Sequence, residues 1–554
     1  MMNKLSMNGS ARMKLLSTPA LFVSFALVLT SLNSGAIATA ADSAKTSPVT
    51  VIYAVPNTPP DIDPSSSAQF IESELFTNTM SRLVDYKSIK RSNGTFVMNT
   101  KIGYDNVDGS LAESWKVSDD RMTVDMKLRK GVTNYLGNSF SAKDVRYTVD
   151  RLLALKGTGT TYFGAIGIDK PEDVKVIDDY NIQFKLNFAA ALFFKMMAIP
   201  HMGIVDSVEM AKHATTDDPW ATTWAKSNNV GFGPYHLTSN KQGVELVLEA
   251  DPNYWKGKAA VDTVIMREVP SSANRFALLK GGSVDVVSYL TPRERLSLKD
   301  DKNVAVQSFS PAQTHSILYM TTSKKPFDNP KVRQAICYAL PYDDIVKSVG
   351  LGTARRQHGP LPANYEFYAP ERNPYTQNIK KAKALLAKAG YPKGFSTSIG
   401  LSNDDPTVEQ QAASVQNALS KIGIKVQLVK QPFATYTQNW LGLKYDMGMM
   451  YEGAFIPDYV YALNLWYRGP KTTNFLDFTD YFNPKVNAML DKAKSTFDES
   501  ERKKLATDLQ VQIMEDAPMC YLVEPGVHLP ARKNIGGINY WTYSAQHFDQ
   551  WSKR

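Results

Sequence analysis

Leu111-Ala112-Glu113-Ser114-Trp115-Lys116-Val117-Ser118, then Met122-Thr123-Val124-Asp125-Met126-Lys127-Leu128-Arg129-Lys130-Gly131-Val132, then Phe140-Ser141-Ala142-Lys143-Asp144-Val145, is the stretch that decides how this chain folds. Met122, Val124, Met126 and Leu128 alternate with polar residues, the period of a half-buried strand. Ser141, with Asp144 three residues on, has the spacing of a capping box. Val145, Val149 and Leu152 then recur at helical spacing, so the strand is followed by a capped helix.

The same alternation of strand and helix continues outward. Asn329-Pro330 starts a helix with Val332, Ile336 and Leu340 on one face. Ile379, Ala382, Leu385, Leu386 and Ala389 form a second stripe, stopped by Gly390 and Pro392. Val408, Ala412, Val415, Leu419 and Ile422 form a third, stopped by Gly423, and Ile424, Val426 and Leu428 then alternate as a strand. Leu505, Leu509 and Ile513 belong to a last long helix before an apolar strand at Tyr521–Val523. No internal repeat and no low-complexity tract interrupts this order, which points to layered α/β architecture. At 554 residues the chain is too long for one ordinary core and implies two or three domains. Its 43% hydrophobic and 21% charged content is that of a globular protein and excludes a disordered or fibrous one.

The first forty residues stand apart. Lys4, Arg12 and Lys14 are their only charges, Ala20–Leu29 is apolar, and small residues lead to Ala38-Thr39-Ala40. This is the pattern of a cleaved secretory signal peptide over residues 1–40, with Met13 an alternative start. The apolar run falls well short of the roughly 20 residues a membrane-spanning helix needs, and no cysteine lies near the cleavage site to carry a lipid. Cleavage removes three of the positive charges and lowers the net charge from +9 to +6. The remaining charges are mixed along the chain, as in Glu501-Arg502-Lys503-Lys504, which argues against a nucleic-acid partner. Cys337 and Cys520 each sit among apolar neighbours and read as small core residues rather than as a disulfide pair.

Enzyme signatures are missing. There is no G-x-S-x-G, H-E-x-x-H or Walker A loop. The histidines at 201, 213, 236, 315, 358, 528 and 547 never pair at i, i+3 or i, i+4, so no local metal site is expected and no cofactor is implied.

The opening stretch closely resembles the signature of the bacterial extracellular solute-binding proteins of the oligopeptide, dipeptide and nickel type, the large periplasmic receptors of ABC importers. More of the chain agrees, in the family's order: Gly231-Phe232-Gly233-Pro234-Tyr235, Asn253-Tyr254-Trp255-Lys256-Gly257, Val284-Asp285-Val286, Val332-Arg333-Gln334-Ala335-Ile336, the helix ending at Gly394, Tyr445-Asp446-Met447, and Glu515-Asp516-Ala517-Pro518. The resemblance implies a two-lobed α/β fold that closes on its solute. Lobe one is expected at 41–80, 201–309 and 521–554, an extra domain on it at 81–200, and lobe two at 310–520, with hinges near Phe309 and Tyr521. It implies a monomeric, non-enzymatic receptor that hands a peptide-like solute to a membrane permease. An opine, oligosaccharide, nickel chelate or haem is the alternative solute in the same fold, and a secreted hydrolase the remote alternative.

The family's peptide binders hold the solute's amino group with an acidic residue in a G-W-x-x-D type segment. Here the matching stretch is Tyr451-Glu452-Gly453-Ala454-Phe455-Ile456-Pro457-Asp458, and Ala454 stands where the aspartate would be. Glu452 or Asp458 is left to supply the charge, Asp458 having a competing role as cap of the next helix. The other wall positions implied are Asn57, Val230, Gly231, Phe232, Tyr319 and Trp466.

Overall fold

A computed structural model of the chain describes residues 47–66, 70–100, 103–309, 314–403, 405–470, 477–541 and 545–554. The expected signal peptide, 1–40, lies outside them. Pro48–Arg554 forms one compact unit.

The opening stretch folds as read. The strands Ala112–Val117 and Thr123–Leu128 pair antiparallel and continue into Asn181–Lys185 and Val174–Asp178 as a four-stranded sheet. Val124, Met126 and Leu128 face the core, and Asp125 and Lys127 face solvent. Ser141 caps the helix Ala142–Ala154, with Asp144 closing the box through a 2.8 Å bond from the Ser141 N–H. Val145, Val149 and Leu152 are buried beneath it.

Two larger sheets carry the rest. The first has seven strands in the order Tyr235–Lys241, Glu245–Ala250, Thr263–Glu268, Thr50–Val55, Val286–Val287, Val527–Arg532, Val304–Phe309. Thr50–Val55 runs parallel to both neighbours, with Val51 opposite Val264 and Tyr53 opposite Met266. The second has five strands in the order Lys425–Gln431, Ser396–Ser402, Met447–Gly453, Thr314–Met320, Met519–Tyr521. The chain passes from the first sheet to the second between Phe309 and Thr314. It returns between Tyr521 and Val527. The buried hydrophobic residues of the four-stranded and five-stranded sheets form one continuous cluster, so these two regions are packed against each other.

The helices Pro330–Ala339, Ile379–Lys388, Pro406–Ser420 and Glu499–Asp516 turn the predicted stripes to the core, the second of them burying Ala382 and Leu386 and leaving Ile379, Leu385 and Ala389 half-buried. Gly423 adopts a left-handed φ of +87°, and a side chain there would meet the Lys393 carbonyl at 2.7 Å. Two expectations need correction. The strand foreseen at Tyr521–Val523 is two short strands, Met519–Tyr521 and Val523–Pro525, broken at Leu522. The break comes where the chain leaves the five-stranded sheet to pair with Ala354–Arg356. Cys337 and Cys520 are bonded in a disulfide, their Cα atoms 5.4 Å apart. Both are buried as expected, but their approach depends on the helix Pro330–Ala339 lying over the strand Met519–Tyr521, 183 residues away. Local sequence carries no trace of that contact.

Candidate functional site

The site is built from the ends of two neighbouring strands of the five-stranded sheet. Antiparallel pairing of Thr314–Met320 with Met447–Gly453 sets His315 opposite Glu452 and Thr314 opposite Gly453. Directly opposed residues share a face, and His315 Nε2 lies 2.9 Å from Glu452 Oε1. Both side chains are buried. The contact is close enough for the His315 ring to favour the Glu452 carboxylate. Burial pushes the Glu452 carboxyl above its usual range, and His315 only partly offsets this. Trp466 stands edge-on to His315 with ring centres 6.1 Å apart, and Tyr521 lies at the same distance.

Facing this pair is a wall from the part of the chain before Phe309. His201, in the turn Pro200–Met202, is fully buried and its Nε2 is 4.0 Å from Glu72 of the helix Phe70–Thr79. Neither ring nitrogen of His201 makes a hydrogen bond, and the hydroxyls of Tyr162, Ser73 and Thr77 are likewise buried without partners. Phe455, three residues beyond Glu452, brings its ring to 4.8 Å from the His201 ring. This is where the two parts of the molecule meet. A buried polar atom left unpaired costs about 1–3 kcal/mol, so a concentration of them on this wall marks a surface made for a polar partner.

Asp458 sits beyond this surface and has a different job. It caps the helix Tyr459–Tyr467 by accepting from the Val460 N–H. Its Oδ2 lies 2.7 Å from Lys195 Nζ and 2.8 Å from Arg502 Nη2. Burial alone would raise its pKa, but the charges of Lys195 and Arg502 win and hold the carboxyl at about 2. Of the two acids left to replace the missing aspartate, Asp458 is therefore already neutralised by protein cations, whereas Glu452 meets the His315 ring.

The other sequence candidates fall in several places. Ala454 is fully buried beside Phe455. Tyr451 engages Gln411 through its hydroxyl. Tyr319 faces the interior of the five-stranded layer, its ring 5.1 Å from Phe478 and directly over Gly448. Phe232, one of the implied wall positions, stands edge-on to Phe140 in the core of the neighbouring four-stranded region. Gly231 is required by packing: a side chain there would sit 2.9 Å from the Thr79 carbonyl. Val230 is buried in the core of the seven-stranded layer, and Asn57 is exposed. Neither Glu72, Tyr162 nor Phe455 was among the sequence candidates, and His201 and His315 had no assigned role. Glu72, Tyr162 and His201 come from three separate elements, so no spacing in the sequence connects them.

A cavity of about 660 Å³ opens beside Asp458, between residues 103–195 and residues 366–503, and Lys195 and Arg502 line it. No group of three or more possible metal ligands occurs among the described residues.

The family model of the bacterial extracellular solute-binding proteins, family 5, matches residues 106–474, more than half of the chain. The chain belongs to that family. The probable D,D-dipeptide-binding periplasmic protein DdpA of Escherichia coli is 27% identical over 484 residues, covering 87% of this chain and 89% of that protein. Heme-binding protein A of Haemophilus influenzae is 29% identical over 449 residues, covering 76% and 79%. The periplasmic binding protein DppA of Helicobacter pylori, solved with the peptide STSA, superposes with a TM-score of 0.79 at 26% identity, covering 91% of this chain and 98% of that one. This family-5 chain thus has the α/β fold of the two-lobed periplasmic binding proteins, and the relatives it resembles are binding proteins.

Proposed function

We propose that this family-5 protein is a periplasmic, non-enzymatic receptor that closes on a peptide or peptide-like solute and delivers it to the permease of an ABC importer. The observation that carries the reading is the convergence of buried polar groups where the two sheets' regions meet: the contacting His315 and Glu452, and His201 and Tyr162, whose ring nitrogens and hydroxyl have no hydrogen-bond partner. Interdomain clefts with a few convergent polar groups among aromatic walls are the usual place for a small ligand. Lobe one would comprise 41–80, 201–309 and 521–554, the extra domain 81–200, and lobe two 310–520. The two passages between the large sheets are the natural hinges for opening. Export would remove residues 1–40, so N-terminal sequencing of protein recovered from the periplasm should start near Ala41; an intact leader on the recovered protein contradicts this.

The solute's amino group would be met by Glu452. A buried ammonium needs an anion, and Glu452, unlike Asp458, meets a histidine ring and not a lysine or arginine. Mass spectrometry of the solute released from native protein identifies the ligand. Calorimetry with it should then find Glu452→Gln weaker by roughly 2–5 kcal/mol, about 30-fold or more. Unchanged affinity would mean the solute has no amine at this position, and a neutral or anionic compound becomes the better assignment. Asp458→Asn is the wrong comparison for this question, because Asp458 already serves two protein cations.

A further inference from the structure

The 660 Å³ cavity lies within the 300–1,000 Å³ range of small-molecule sites. At its wall, Lys195 comes from the short helix Phe193–Met197 and Arg502 from the helix Glu499–Asp516. Their charges converge on one oxygen, Oδ2 of Asp458. The ion pairs of Lys195 with Asp458 and Glu366 join the part of the chain before Phe309 to the part that carries the five-stranded sheet.

The two cations are under-used. An ammonium has three N–H donors and a guanidinium five. Lys195 Nζ donates to Asp458 at 2.7 Å and pairs with Glu366 Oε2 at 3.5 Å, which leaves it a third donor. Arg502 makes two, to the Thr496 carbonyl and to Asp458. Both side chains are largely buried, at 4% and 10% exposure, and reach the cavity they line. The Tyr104 hydroxyl on the same cavity is also shielded and has no hydrogen-bond partner. Burial raises the pKa of Glu366, which weakens it as a counter-charge. Lys503 and Glu499 also line the cavity. The remaining walls are aromatic: Tyr104 and Phe497 meet edge-on at 5.1 Å, and Tyr368 lies nearby.

We infer that this cavity is a subsite for a carboxylate carried on an apolar or aromatic body, the carboxylate bonding to the free donors of Lys195 and Arg502 and the body lying against Tyr104, Tyr368 and Phe497. It rests on the receptor reading in being the place for the carboxylate end of the captured solute. Tyr365 lies within electrostatic reach of Glu452 and the next residue, Glu366, lines the cavity, so the two sites are neighbours.

The test uses hippurate, a carboxylate on a benzoylglycine body, and its uncharged amide, hippuramide, titrated into ligand-free protein by calorimetry and located by crystallography. Hippurate should occupy the cavity and bind about tenfold or more tightly than the amide, the size of one charge-assisted bond. Lys195→Gln should bring hippurate down to the amide's affinity. Because Lys195 also holds Asp458, Ala191→Leu is the companion variant: it fills the cavity without touching the ion pairs and should block both compounds. Equal affinities for acid and amide, hippurate bound elsewhere, or no binding at millimolar concentration overturns the subsite. The native solute is identified separately by mass spectrometry, so a failed receptor reading with hippurate in the cavity is distinguishable from a failed subsite with a peptide recovered.

Discussion

Asp458→Ala is expected to destabilise the folded chain by about 3–5 kcal/mol, the cost of leaving buried charge without its partner. Asp458 is fully buried and shared by Lys195 and Arg502. Removing it strands both cations in a medium where an unpaired charge is poorly solvated, with only Glu366 remaining at 3.5 and 3.9 Å. The lost cap on the helix Tyr459–Tyr467 adds about 1 kcal/mol. Urea denaturation measures the sum. A double-mutant cycle with Lys195→Met assigns it, because Asp458→Ala should cost much less once one cation is gone. The folded carboxyl has a pKa of about 2 against an ordinary 3.8. Its contribution is therefore present above the ordinary value and lost as pH falls from there through about 2. A loss below 1 kcal/mol at neutral pH, or additive single and double variants, would show that the network does not hold the two regions together.

The second large effect is one of pH. Glu74 is buried in the layer of the seven-stranded sheet with no cation beside it. The Gln546 N–H donates to it at 3.1 Å and Tyr53 is adjacent, but desolvation dominates and raises its pKa from 4.5 to about 8. Below the unfolded value of 4.5 both states are protonated and nothing is lost. Between 4.5 and about 8 the unfolded chain sheds a proton that the folded chain keeps, so stability falls as pH rises through that window and levels off above it. The gap corresponds to about 4–5 kcal/mol by pH 8. Glu74→Gln keeps the shape and removes the ionisation. Urea denaturation at pH 5 and pH 9 should give the variant a flatter pH profile than the parent and greater relative stability at pH 9. Parallel profiles would mean that Glu74 ionises in the folded protein without penalty.

Fold class was legible because it follows from short-range patterns. The alternation of Val124, Met126 and Leu128 and the Ser141–Asp144 box each need only a few residues to declare themselves, and the structure realises them. The family order of motifs, from Leu111 to Pro518, extended that local reading across the chain. The candidate site was legible in part. Glu452 and Trp466 were named from the family segment and do lie against His315. Phe232 was named as well, and lies in a core, because the family position locates a loop without saying which way its side chain packs.

The sequence by itself determined the strand-and-helix order, the family, and the absence of an acid at Ala454, since each is a matter of residue identity and near-neighbour spacing. Only the tertiary structure decided that Asp458 is committed to two protein cations. Asp458 meets Lys195 across 263 residues of chain and Arg502 across 44, and Cys337 meets Cys520 across 183. His201 likewise meets Phe455 from the opposite side of the junction. Those contacts depend on how whole sheets and helices stack, and stacking is set by the summed burial of many side chains, so no single stretch of sequence encodes it.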